Sequence, residues 1–261
     1  MPKYSANLSM LFSERDFLDR FEAAAKAGFA GVEYLGPYDF TKQEVAARLK
    51  ANGLKQILFN LPAGDWAKGE RGIACIPGRE AEFREGVATA IAYAEALECK
   101  QLNCLVGIAP ANADPQAARR TLIDNLRFAA RELDRAGLKL LVEPINRFDI
   151  PGFFLNHSAQ TLKILDEAGS DNLKLQYDIY HMQRMEGELA ATMERHLKRI
   201  GHIQIAGNPG RNEPDIGEIN YPYLMQRLDA LGYEGWVGAE YKPKGRTEDG
   251  LGWLRAWGGK A

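Results

Sequence analysis

The sequence predicts one closed barrel of eight parallel strand–helix units, a (β/α)8 fold spanning residues 1–261. Three observations predict it. The length of 261 residues is close to that of a typical barrel of this kind, roughly 250 residues. Short apolar runs alternate with amphipathic helical stretches from end to end, with no shift in composition to mark a second domain. No glycine-rich phosphate turn follows an early strand, as an open doubly wound sheet would require.

The runs expected as strands are Tyr4–Leu8, Gly31–Tyr34, Lys55–Asn60, Gln101–Val106, Leu138–Glu143, Leu173–Asp178, Ile200–Ala206 and Trp236–Tyr241. Continuous apolar segments of this length suit parallel strands covered on both faces. Helical stretches between them include Asp16–Ala27, Glu80–Leu97, Ala117–Ala136 and Ala159–Ala168. Gly28, Gly53, Gly137, Gly169 and Gly232 fall where helices should stop, because glycine adopts the left-handed conformation that ends a helix. Two connections are longer than a barrel needs: Leu61–Gly78 after the third strand and Asp149–Ser158 after the fifth. Both carry large aromatics (Trp66; Phe153 and Phe154), so both read as walls or lids of an active site.

Composition narrows the function. Hydrophobic residues make up 46% of the chain, enough for a sizeable core. The net charge of -2 gives no general attraction to nucleic acid or to an anionic membrane. No stretch is long and apolar enough to span a bilayer, and the N-terminus lacks a signal-peptide pattern. Cys75, Cys99 and Cys104 show no metal-ligand spacing and suit a reducing compartment. The expectation is a soluble cytoplasmic enzyme acting on a small molecule, with no nucleic-acid or membrane partner. The sequence leaves the oligomeric state open, and a homo-oligomer is compatible with it.

Polar groups gather at the ends of the last four strands. Glu143 ends the fifth, Asp178 the sixth, Gln204 lies late in the seventh and Glu240 late in the eighth. In a barrel these ends converge on one mouth, where active sites form. Taken singly, an Asp or Glu after a strand is an ordinary helix cap or surface ion-pair member. Four polar groups in phase, each on a buried run, are different, because uncompensated buried carboxylates cost several kcal/mol. A divalent cation held by Glu143, Asp178, Gln204 and Glu240 resolves the repulsion. All four offer oxygen, which favours Mg²⁺ or Mn²⁺ over Zn²⁺.

A divalent cation still leaves the three carboxylates about one charge negative, so a further cation is expected. Arg211, in the stretch NPGRNEP, is the first candidate, since a guanidinium grips a carboxylate with two hydrogen bonds. Arg147 and Lys242 are weaker ones. His181, in the loop beyond the sixth strand, is expected to hydrogen-bond a substrate oxygen. His202 shares a face with Gln204 one layer deeper and reads as a core histidine bonded to a neighbour. Asp149 should orient a site group or cap a helix, while Asn60 and Trp66 should line the mouth. His157 and His196 read as ordinary loop and helix residues.

The stretches SANLSMLF, NLPAGDWAKGERGIACIPGRE, EPINRFDIPGF, QYDIYHMQRMEGEL, GHIQIAGNPGRNEPDIGEINY and GWVGAEYKP resemble the hydroxypyruvate isomerase family, within the xylose isomerase-like barrels. The resemblance covers nearly the whole chain. It implies interconversion of hydroxypyruvate and tartronate semialdehyde, with Glu143 and Glu240 as the proton donor and acceptor and the same four metal ligands. Related keto-sugar epimerases usually carry histidine where this chain has Gln204, and they use a histidine near His181. The 2-oxo-tetronate isomerases share the glutamine and the GEINYP stretch, while EPINRFDIPGF favours the hydroxypyruvate branch. Such a reaction removes a proton beside a carbonyl and returns it one carbon away through an enediolate. Which glutamate acts first, and whether a hydride shift replaces proton transfer, the sequence leaves open.

Overall fold

The structure, a computed structural model, describes residues 2–110 and 113–258. Its eight strands are β1 (Lys3–Asn7), β2 (Gly31–Tyr34), β3 (Lys55–Asn60), β4 (Gln101–Cys104), β5 (Lys139–Val142), β6 (Leu173–Asp178), β7 (Ile200–Ile205) and β8 (Trp236–Ala239). They pair in sequence order, all parallel, and β8 closes onto β1. The nine helices found among the described residues are α1 (Arg20–Lys26), α2 (Lys42–Ala51), α3 (Glu80–Ala96), α4 (Pro115–Arg135), α5 (Ser158–Ala168), α6 (Ile179–Met185), α7 (Leu189–His196), α8 (Tyr221–Ala230) and α9 (Gly252–Ala256). The fold is therefore the expected closed (β/α)8 barrel. The helix-stop glycines Gly28, Gly53, Gly137, Gly169 and Gly232 all carry positive φ.

The strands are buried on both faces, but the two faces differ in chemistry. Val32, Phe59, Leu140, Leu175, Ile203 and Val237 point outward into the apolar core shared with the helices. The alternate positions point into the barrel and are largely polar: Ser5, Asn7, Glu33, Asn103, Gln176, His202 and Gln204 are all 2% exposed or less. Sequence reading took these runs as apolar on both faces; the period-two polar pattern was the part it passed over. Towards the strand N-termini Ile57, Leu141 and Trp236 fill the barrel. Packing there is tight enough that a Cβ at Gly31 would lie 2.7 Å from Ile57 and one at Gly201 2.5 Å from Leu141.

The two long connections divide their labour. Trp66 is 43% exposed and stands over the mouth, with the Arg71 guanidinium 3.8 Å from its ring centroid. Ile150 also faces the mouth. Phe153, by contrast, is core: it is buried and pairs with Ile108 in an isolated bridge.

Candidate active site

Asp178 shows how local structure and site are built from one residue. It is the last residue of β6 and the N-cap of α6, and its Oδ1 accepts from the backbone N–H of Tyr180 at 2.8 Å. A carboxylate is a favourable cap because it satisfies otherwise orphaned amides at a helix N-terminus. Its other oxygen, Oδ2, is left facing the mouth, 3.3 Å from Arg211 Nη2. Cap and site group are thus the same side chain. Because α6 starts at once, His181 lies in its first turn and not in a loop as expected from the sequence. Glu143 and Glu240 stand one residue beyond β5 and β8, and Gln204 lies within β7.

These groups meet across the barrel. His181 Nε2 is 3.7 Å from Glu143 Oε1 and 3.6 Å from Asp178 Oδ2. Arg211 Nη2 reaches Glu240 Oε1 at 3.1 Å as well as Asp178. Gln176 Nε2 donates to Glu143 Oε2 at 3.0 Å and to Gln204 Oε1 at 2.7 Å. A cavity of about 100 Å³ lies among them, bounded by Asn7, Asn60, Trp66, His181, Arg211 and Glu240. A larger open groove of about 900 Å³ at the opposite end is lined by Lys50, Lys55, Lys100 and Lys139 but holds only one carboxylate, Glu98. The chemistry sits at the mouth, where barrel enzymes carry it.

The tautomer of His181 follows from its neighbours. Asn146 Oδ1 accepts from the backbone N–H of Phe148 and Asp149, at 3.0 and 2.9 Å, which fixes its amide. Its Nδ2 therefore faces Asp149 Oδ2 at 3.1 Å and His181 Nδ1 at 2.6 Å. Nδ1 accepts, so the ring proton sits on Nε2 and points at the cavity. Burial, with Arg211 and Arg184 nearby, holds the imidazole well below its ordinary pKa, so it is neutral. Asp149 takes the orienting role that the sequence left in balance with capping. It also accepts from Tyr180 Oη at 2.9 Å and pairs with Arg184.

Electrostatics make the mouth strongly acidic. Burial, then Glu240 and Asp178, raises the Glu143 carboxyl well above its ordinary value. Burial likewise raises Asp178, with Arg211 opposing. Glu240 is pushed up to about 8 by burial, again opposed by Arg211. Three buried carboxylates, Glu240, Asp178 and Glu143, surround the guanidinium of Arg211, and Glu33 lies one layer deeper, bonded to His202 and Gln204. Glu143, Asp178 and His181 each offer a ligand atom within 4.8 Å of the others. This donor set fits a metal ion: carboxylate oxygens predominate, and a cation offsets their repulsion.

Arg211 is where the sequence put it, in the mouth, with its backbone at φ 55° in the left-handed region. Its Nε is a buried donor with no partner among the described residues. The weaker candidates Arg147 and Lys242 are both exposed and do not border the cavity. Asn60 and Trp66 border it as expected. His202 is the core histidine anticipated, its Nε2 2.9 Å from Glu33 Oε2. The three cysteines are free and buried. Sequence reasoning missed Glu33, Gln176, Asn103 and Asn146. The signal for the first three was a polar residue at every second position of a strand, and for Glu33 a lone carboxylate inside the short apolar run GVEY.

Comparison with known proteins gives the context. Residues 21–257 match the family model of xylose isomerase-like TIM barrels. The chain is 58% identical over 254 residues to hydroxypyruvate isomerase of Escherichia coli, covering 97% of this chain and 98% of that one. It is 50% identical over 260 residues to 2-oxo-tetronate isomerase of Cupriavidus necator, covering 100% of both. A crystal structure described as AP endonuclease, family 2, from Brucella melitensis superposes with a TM-score of 0.96 at 47% identity, covering 98% of this chain and 99% of that one.

Proposed function

Because the chain belongs to the hydroxypyruvate isomerase family of xylose isomerase-like barrels and is an isomerase, we propose that it interconverts hydroxypyruvate and tartronate semialdehyde by proton transfer. The observation that carries this reading is the acidic mouth with one inward guanidinium, Arg211, whose Nε is a spare buried donor. A site rich in carboxylates that still reserves a cationic fork suits an acidic substrate better than a neutral sugar. The cavity of about 100 Å³ lies well below the roughly 300–1,000 Å³ of pockets for drug-sized ligands, which suits a three- or four-carbon acid.

Glu143, Asp178, Gln204 and Glu240 would hold a divalent cation, Mg²⁺ or Mn²⁺, through oxygen. When bound, such a cation supplies electrostatic stabilisation of the negative charge that develops on the substrate oxygens. Glu143 and Glu240 stand just beyond β5 and β8, three strands apart around the mouth. One takes the proton from the carbon beside the carbonyl. The electron pair left behind forms the enediolate, the other carboxyl returns a proton to the former carbonyl carbon, and the hydroxyl proton passes to the former carbonyl oxygen, so the carbonyl shifts by one carbon. His181 donates its Nε2–H to a substrate oxygen, an orientation set by Asn146 and Asp149. Arg211 holds the substrate carboxylate.

Chelation should abolish activity and added Mg²⁺ or Mn²⁺ should restore it. The assay is a panel of three- and four-carbon hydroxy-oxo acids and a neutral ketose. Full activity in chelated protein would sink the metal assignment. Full-length similarity to a 2-oxo-tetronate isomerase favours one second reading, a four-carbon substrate, and a higher kcat/KM for that acid would establish it.

A further inference from the structure

We propose that Glu33, braced by Ser5, His202 and a niche at Gly238, is a positioning residue that fixes the amide of Gln204 so that its carbonyl oxygen faces the metal. The inference rests on the reading of Gln204 as a ligand. Glutamine is nearly symmetric in shape at its tip, yet only its oxygen can bind a hard cation. Something must therefore decide which way the amide turns. Gln204 Nε2 donates to Glu33 Oε1 at 2.8 Å. An ionised carboxylate only accepts, so a turned amide would set oxygen against oxygen. Gln176 also meets Gln204, with its Nε2 2.7 Å from Gln204 Oε1. Gln176, whose Nε2 also donates to Glu143 Oε2 at 3.0 Å, favours the same orientation, and Glu33 sets it from the other end of the amide through a carboxylate outside the proposed ligand set.

Glu33 is held for this task from three sides. Its Oε2 accepts from Ser5 Oγ at 2.7 Å and pairs with His202 Nε2 at 2.9 Å. A Cβ at residue 238 would lie 2.2 Å from Oε1 and 2.4 Å from Oε2, so the carboxylate occupies space that only glycine leaves open. Ser5 and Gln204 both pair in register with Gly238, which places the brace, the niche and the positioned amide in one layer of the barrel. The Glu33 side chain is fully buried and makes no bond to Glu143, Asp178 or Glu240. Its charge adds to the rise of the Glu143, Asp178 and Glu240 carboxyls behind their own burial, and its hydrogen-bonded route to the mouth is Gln204.

The test is the Mn²⁺ dissociation constant by titration calorimetry, on wild type, Glu33→Gln, Glu33→Asp, Gln204→Ala and the doubles of each Glu33 variant with Gln204→Ala. Glu33→Asp keeps the charge but withdraws the carboxylate by one methylene, so it still reads out if Glu33→Gln fails to fold. Each Glu33 variant should weaken Mn²⁺ about 10- to 100-fold, the usual effect of losing a partner that orients a ligand. In the Gln204→Ala background neither should weaken it further. A loss that persists there would mean that Glu33 acts by its charge or on the fold, and unchanged affinity in the single variants would likewise overturn the proposal. Failure of wild type to bind Mn²⁺ at all would instead overturn the metal reading beneath it.

Discussion

The two halves of the barrel contribute different chemistry to one mouth. Strands β5 to β8 and the positions just beyond them supply Glu143, Asp178, Gln204 and Glu240, with His181 and Arg211 from the segments that follow β6 and β7. Strands β1 to β4 supply Glu33 and Asn103, which bond groups of the other half, and Ser5, Asn7 and Asn60, which brace those two. Asn103 Nδ2, for example, lies 3.0 Å from Asn60 Oδ1 and 3.4 Å from Glu143 Oε2. The difference teaches that the proposed reacting groups come from one half, while the groups that orient them come from both: Gln176, Asn146 and Asp149 from the second, Glu33 and Asn103 from the first. Only closure of the barrel brings them together. Such outer partners commonly matter about 10- to 100-fold, less than the groups that exchange protons.

The largest effect should therefore fall on the second half. Glu143→Gln and Glu240→Gln keep the shape but cannot shuttle a proton, and each should lose at least about 100-fold in kcat. Metal occupancy is measured alongside, since both are proposed ligands. Asn60→Ala, which removes a brace on Asn103 in the first half, should lose only about 10-fold in the same assay, the low end of that range. Equal losses in both halves would break the comparison. Solvent deuterium exchange at the substrate carbon sharpens it: Glu143→Gln exchanging at the wild-type rate would remove that residue from the proton path.

An intermediate effect is expected at Arg211. Its removal should lower kcat/KM for hydroxypyruvate about 10- to 100-fold, mainly through KM, since a charge-assisted hydrogen bond contributes roughly 1.5–3 kcal/mol. Arg211→Lys should recover part of the loss, because an ammonium cannot offer the fork. A neutral ketose, turned over slowly by wild type, should be nearly indifferent to both changes. If Arg211→Ala handles hydroxypyruvate as wild type does, the carboxylate is held elsewhere.

The smallest effect should come from Asp149→Asn, which loosens the Asn146–His181 relay without touching the cavity. About 1 kcal/mol, or roughly five-fold in kcat, is expected for one weakened hydrogen bond. The same variant carries a pH signature. Burial alone would raise the Asp149 carboxyl, but hydrogen bonds from Asn146 and Tyr180 and the nearby Arg184 hold it below its ordinary 3.8. Its contribution to stability is thus present above pH 3.8 and is lost as pH falls through the lower native value. Thermal unfolding of the variant should lose less stability on acidification than wild type over that window. A steeper loss in the variant would contradict the assignment.

The amino-acid sequence determined the barrel, because strand burial and helix amphipathicity are local periodicities that survive without knowledge of contacts. β2, β3 and β6 begin and end where the apolar runs predict, and the others differ by one or two residues at an end. It also determined the polar quartet at the ends of the last four strands, three carboxylates and one amide, and its likeness to an isomerase family, since those residues stand out as polar groups in apolar runs. What it could not determine was which polar groups meet. Glu33 and Gln204 are separated by 171 positions, and nothing local to either says that one amide needs the other's carboxylate. Likewise Arg147, Arg211 and Lys242 all follow strands that end in the polar quartet, and only the path of the segment after β7, left-handed at Arg211, turns one of them inward. Strand position is written in the spacing of residues; the partner across the barrel is fixed by closure and register, which join distant segments of chain in one layer.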